Sequence, residues 1–212
     1  VADDEVGWLR GFLRREPRQR RSRELVKAVV DALDRELGDG RTLDDLSVER
    51  LVGRAGVGIG SFYEYFSDRN AVVGALIQRL TQRNFDDLAA HLEHGDSSSV
   101  DALIRHLADV IVDRYLANPT RNRVVVEGIG RLGMLPLVTE ERDRFASLMA
   151  ARLVAIDPTW DRDAADQRMR LVADAAMGVI ASELMRKTRA PLVVTKERVT
   201  RMAIALVAME PR

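Results

Sequence analysis

The sequence predicts an all-α fold, on three observations. Apolar residues recur at three- and four-residue intervals along most of its 212 residues, the period of a helix with one buried face. Glycine, proline and short polar clusters separate these stripes. No strand-length alternation occurs outside short ambiguous runs, and no internal repeat is visible.

The elements follow in order. Val6, Leu9, Phe12 and Leu13 suggest an amphipathic turn or short helix ended near Pro17, an N-terminal extension over residues 1–17. Leu25, Val26, Val29, Val30, Leu33 and Leu37 form a helical stripe that stops at Gly38. Ser47 is an N-cap candidate, followed by Val48, Leu51, Val52 and Ala55 at helical spacing. Gly56 supplies the left-handed backbone of a tight turn, and Val57 plugs the angle that follows. A second short helix is expected from about Gly58 to Phe66, with Phe62 and Phe66 inward. Ile59, Gly60, Ser61, Tyr63, Glu64 and Tyr65 remain for its outer surface. Two short helices around a glycine turn are the pattern of a helix-turn-helix DNA reader. Gly60 and Ser61 permit close approach, and Tyr63 and Tyr65 carry hydroxyls for phosphate oxygens. Arg69 follows Asp68, a cap candidate for the next helix. A cation at a helix N-terminus is unfavourable and suggests an external anion.

Asp68 then opens a long helix carrying Val72, Leu76, Leu80, Leu88 and Leu92, which ends near Gly95. A stripe from Val100 to Ile111 is stopped at Asn118-Pro119. The segment from Arg121 to Leu132 holds Gly128 and Gly130 and is expected to be a poor, bent helix, broken by Pro136. Thr139 to Ile156 is helical and stops at Asp157-Pro158. Between Leu171 and Met185 only Asp174 and Glu183 are charged, so this helix is expected to be buried on most faces. The final helix carries Val199, Met202, Ala203, Leu206 and Val207 at the spacing of a packed seam. Such apolar helices suggest pairing with a second copy, with Val172, Met177, Leu184, Val199, Met202 and Leu206 marking the regions of the interface.

Composition bounds the function. There are 33 basic and 33 acidic residues and no cysteine, which removes disulfides and thiol chemistry. Overall neutrality is unusual for a nucleic-acid binder, but between Arg10 and Lys27 eight basic residues stand against two acidic ones. That run can supply sequence-independent attraction to phosphates. No apolar run reaches membrane-spanning length, and the acidic start at Asp3, Asp4 and Glu5 is unlike a signal peptide. A soluble, cytoplasmic protein is expected, with no cofactor. No nucleophile elbow, P-loop or dinucleotide motif occurs. His91 and His94 stand three apart without a recognisable third ligand. Neither a catalytic nor a metal site is expected, and an enzyme is the less favoured reading.

Residues Ser47, Val48, Leu51 and Val52, then Ala55-Gly56-Val57-Gly58-Ile59-Gly60-Ser61-Phe62-Tyr63-Glu64-Tyr65-Phe66 and Asp68-Arg69, resemble the reader of the TetR/AcrR family of transcriptional regulators. With the preceding helix, the resemblance covers about the first third of the chain. Gly58 stands where the family usually has serine, which weakens the cap of the recognition helix. Ile59 stands where lysine or arginine is common, an apolar tip suited to a thymine methyl. The resemblance implies a three-helix DNA-binding domain over 18–67 and a ligand-binding and dimerisation domain over 68–212. It implies DNA contacts from Ser47, Gly58, Ile59, Gly60, Ser61, Tyr63, Tyr65 and Arg69. It further implies a homodimer on a palindromic double-stranded operator, released by a small, hydrophobic effector whose identity the sequence does not give. His106, Phe145, Met149 and Met177 are the residues suggested for that ligand. Alternatives are a ligand-activated regulator of the same fold, or a dimeric helical protein that has lost DNA binding.

Overall fold

A computed structural model describes residues 11–94 and 99–209. Val6, Leu9, Gly95 and the polar residues 96–98 lie outside these. The described residues form nine α-helices and one short 3-10 turn, with no strand. They divide into two compact units, one of residues 1–82 and 120–135, the other of residues 83–119 and 136–212. No helix among the described residues is long and apolar enough to cross a membrane.

In the first unit, α1 (Arg20–Gly38) begins where the Gln19 backbone N–H donates to the Ser22 hydroxyl at 3.2 Å. Its buried face carries Val26, Val29, Val30, Leu33 and Leu37, together with one charge, Glu36. The connector to the next helix is ordered by a 3-10 turn at Leu43–Asp45. The Asp45 carboxylate accepts from the Thr42 N–H at 2.9 Å and from the Thr42 hydroxyl at 2.7 Å. These bonds hold the Asp45 carboxyl below its ordinary pKa. Leu43 and Leu46 are thereby fixed into the core.

α2 (Val48–Ala55) and α3 (Ile59–Tyr65) pack on α1 and on each other, and the first part of α4 (Arg69–His94) is tied to α1 through Arg79. α6 (Pro119–Arg131) adds a further helix, despite its glycines. Gly128 is needed there because a Cβ would lie 2.7 Å from Ile77 Cδ1 and 3.3 Å from Val73 Cγ1 on α4. Buried Arg79 of α4 pairs with Asp31 and, at 3.4 Å, with Asp34, which Arg121 of α6 also reaches at 3.4 Å.

The second unit contains the rest of α4, then α5 (Val100–Ala117), α7 (Leu135–Ile156), α8 (Arg162–Met185) and α9 (Leu192–Ala208). Pro136 lies inside the first turn of α7 rather than ahead of it. Its missing N–H costs little there, because first-turn amides have no partner within the helix. Ser99 and Asp161 cap α5 and α8, accepting from Ala102 N at 3.1 Å and from Asp163 N and Ala164 N at 3.0 Å. α9 packs on α5 and α8. One core cluster includes Leu88, Leu103, Leu107, Phe145, Met149, Leu153, Met169, Val172 and Val207.

Glu183, buried at the end of α8, accepts from Ala190 N at 3.2 Å and from Arg198 at 2.9 Å, and so fixes the turn into α9. Arg168 donates to the Leu206 and Met209 carbonyls and closes the far end of α9. α8 is less enclosed than its composition suggests. Leu171 and Gly178 are exposed, as are Leu192, Val193 and Val194 at the start of α9, with Val193 at 70%.

Candidate nucleic-acid interface

α2 is set by its two ends. The Ser47 hydroxyl accepts from Arg50 N at 3.2 Å, which satisfies one free first-turn amide. At the other end Gly56 takes φ +69°, and Val57 N donates to Val52 O at 3.1 Å. This is the left-handed closure that the glycine makes possible. Glu49 on the first turn is held below its ordinary pKa by a bond to its own backbone and by the Ser47 hydroxyl.

Beneath α2 lies the main electrostatic feature of the unit. The Glu36 carboxylate, 2% exposed, pairs with Arg50 Nε at 2.7 Å, Arg41 Nε at 3.0 Å and Arg54 Nη1 at 3.2 Å. Arg54 also reaches Asp39 at 2.6 Å. The Arg50 hydrogen bond is the largest influence and holds the Glu36 carboxyl below its ordinary pKa, against the opposing effect of burial. One acid from α1 thus gathers two arginines of α2 and one of the connector. Sequence reasoning missed Glu36. The available signal was its position, three after Leu33 and seven after Val29 on the apolar stripe, where a charge is out of place unless paired.

α3 has no side-chain cap at its start, where Gly58 stands. Phe62 and Phe66 are fully buried with ring centroids 5.5 Å apart. Ile59, at the open start of the helix, is 46% exposed and Tyr63 43%, with Gly60 and Glu64 also exposed and Ser61 half-buried. The Tyr63 ring stands edge-on to Phe62 at 5.2 Å, so a buried ring supports an exposed one.

Two sequence expectations need correction. Tyr65 is not on the outer surface: it is 8% exposed and packs with the inner face. The reason is helical geometry, since residue 65 is three after Phe62 and shares its side. Arg69 is not left to an outside anion. Its Nη1 donates to the Leu43 carbonyl and, at 2.6 Å, to the Leu46 carbonyl. The carbonyls around the 3-10 turn supply the negative pole that the sequence left unidentified.

Several members of the N-terminal basic run have partners within the chain. Arg14 bonds to α3, Arg20 pairs with Glu24 at 2.8 Å and Arg23 donates to Arg18 O at 3.4 Å. Arg15, Arg18 and Arg21 are exposed. Residues 11–19 form turns, bends and irregular chain, so that of the turn or short helix expected at Phe12 and Leu13, the turn is what the described residues hold.

The residues suggested for a ligand and for a partner fall in the second unit. Phe145 and Met149 are part of its packed core, and Met177 is half-buried. The His106 ring lies 5.4 Å from that of His91. Its buried Nε2 has no hydrogen-bond partner among the described residues. Val172, Leu184 and Val199 are buried within the chain itself, whereas Met202 and Leu206 are half-buried.

No protein-family model matches the chain. A curated relative, an uncharacterized HTH-type transcriptional regulator (YvdT) of Bacillus subtilis (strain 168), is 25% identical over 103 residues. The match spans 49% of this chain and 47%, about half, of that relative's length. Among solved structures, a TetR transcriptional regulator from Rhodococcus sp. RHA1 is similar with a TM-score of 0.64 at 16% identity, over 90% of this chain and 100% of the other. A TetR-family regulator from Mesorhizobium loti, described there as putative, has a TM-score of 0.53 at 14% identity, over 89% and 96%. The helix order, the paired helices at Gly56 and this likeness along nearly the whole chain agree: the chain has the fold of the TetR-family transcriptional regulators.

Proposed function

We propose that this chain is a sequence-specific DNA-binding transcriptional regulator of the TetR family, acting as a homodimer on a palindromic operator. The exposed edge of α3 carries the proposal. Ile59, Gly60 and Tyr63 stand open to solvent on a helix anchored in the core by Phe62 and Phe66. A bare, rigid, apolar-tipped edge is suited to the floor of a major groove, where a thymine methyl offers an apolar partner. Gly60 and Ser61 let the backbone come close. The hydroxyls of Tyr63 and Ser47 serve phosphate oxygens, and exposed Arg15, Arg18 and Arg21 add attraction that does not depend on sequence.

Dimerisation is supported by the exposed side of α8. Leu171, Ala175, Gly178 and Ser182 follow one another at three- and four-residue steps, and a Cβ at Gly178 would meet nothing within 4 Å. Small residues in such a row allow a second helix to approach closely, and leaving Leu171 in water is unfavourable. Two copies of α3 about a twofold axis would meet half-sites about 34–36 Å apart. An effector that favours the non-binding arrangement would release the operator by its difference in affinity for the two states. A hydrophobic effector held near His106, Phe145, Met149 and Met177, and repression rather than activation, belong to the same proposal.

Titration of a labelled duplex at several salt concentrations tests the DNA function. The observed affinity should fall steeply and linearly on a log–log plot, with a slope set by the number of phosphates neutralised. A flat plot removes DNA as the partner.

A further inference from the structure

The segment ahead of α1 is tied to the end of α3. The Arg14 backbone N–H donates to Tyr65 O at 2.9 Å, and Arg14 Nη1 donates to Tyr63 O at 3.3 Å. Both acceptors lie in the last turn of α3, whose closing carbonyls have no partner within the helix. α3 has seven residues and no side-chain cap at its start. So short a helix depends on its surroundings to stay formed.

A second tie lies two residues earlier. The Phe12 ring occupies the space over Gly74 on α4, where an added Cβ would lie 2.2 Å from Cε1, 2.4 Å from Cδ1 and 2.8 Å from Cζ. Glycine inside a helix weakens it relative to alanine. Here it makes room for an aromatic ring that would otherwise sit on the surface. Pro17 is buried as the chain turns towards α1.

We propose that residues 12–17 are a positioning clamp for the recognition helix. Phe12 seats in the slot at Gly74, and Arg14 closes the C-terminal end of α3. Together they fix the angle at which Ile59, Gly60 and Tyr63 meet a groove. Phe12 and Arg14 are positioning residues: neither reads a base. The effect on DNA rests on the function proposed above.

Full-length Gly74→Ala, Phe12→Ala and the double variant test the clamp by two readouts. One is hydrogen exchange of the amides of residues 59–66. The other is the ratio of operator to non-operator affinity at fixed salt, with the operator obtained by selection from random duplexes. Each single variant should speed exchange in α3 and lower the ratio by about tenfold, the scale of one or two net hydrogen bonds. Non-operator affinity should hold, because the exposed arginines remain. The double variant should be no worse than Phe12→Ala, since both changes act through one contact.

A general loss of stability would lower the melting temperature without moving the ratio. The proposal is overturned if Gly74→Ala leaves exchange and ratio unchanged, or if the two single effects simply add. Should the wild-type protein prefer no operator, the DNA function falls while exchange in residues 59–66 still decides the clamp. Faster exchange in the variants upholds it, and unchanged exchange overturns it.

Discussion

Glu36→Gln keeps the shape of the side chain under α2 but removes its charge, leaving three guanidiniums around an amide. Burial of the carboxylate, its contact distances and the exposure of its partners set the magnitude. The carboxylate is almost wholly buried, and its three bonds measure 2.7, 3.0 and 3.2 Å. A hydrogen bond to a buried charge is worth about 1.5–3 kcal/mol. The arginine side chains, however, are 34–45% exposed, so water screens most of each interaction and supplies part of what is lost. Glutamine also keeps one acceptor oxygen. The net loss should be about 2 kcal/mol, or about 4–8 °C in Tm for a chain of this size.

Urea unfolding followed by far-ultraviolet circular dichroism, repeated across pH, reads this directly. The folded state holds the Glu36 carboxyl below its ordinary value. Its contribution is therefore full above the unfolded pKa of about 4.3 and is lost as the pH falls through the folded value. Glutamine has no proton to gain, so the gap between wild type and variant should narrow below about pH 4. Equal stability at pH 7, or a gap that widens in acid, refutes the reasoning.

Two further substitutions separate backbone from side-chain effects. Gly56→Ala meets no atom within 4 Å but must hold φ +69°, so its cost is purely conformational, about 1–2 kcal/mol; an unchanged unfolding curve contradicts this. Arg69→Ala should lose about 1–2 kcal/mol through the Leu43 and Leu46 carbonyls while leaving the salt slope of DNA binding unchanged. A slope flattened by about one, with stability intact, would return Arg69 to the phosphate contacts.

Much of the fold is legible in local pattern. The stripe from Val26 to Leu37, the stop at Gly56 and the inward pair Phe62 and Phe66 follow from helical period and glycine geometry. Tyr65 departs from expectation because assigning to the outer surface all six residues other than Phe62 and Phe66 overlooks that position 65 lies three after 62. Other features depend on residues far apart in sequence. Arg14 and Tyr63 are 49 positions apart, and Phe12 finds its slot at Gly74. No periodicity reports such a meeting, and Gly74 reads as a mere weakness in a helix until the ring above it is seen. Glu36 lies between these cases. Its place on an apolar stripe was visible, but its three partners come from two other segments. Arg69 teaches the converse: its position at a helix start called for a negative pole, and nearby backbone carbonyls supply one as well as DNA would.

The central claim is that the exposed edge of α3 reads bases. Selection of bound duplexes from a random pool, at one near-physiological salt concentration and in parallel for wild type and Ile59→Lys, tests it most directly. The expected result is an inverted repeat with a single half-site spacing for the wild type, and a repeat of the same spacing with altered half-site bases for Ile59→Lys. An unenriched pool, or identical half-sites from both proteins, would contradict the assignment of α3 as the reader.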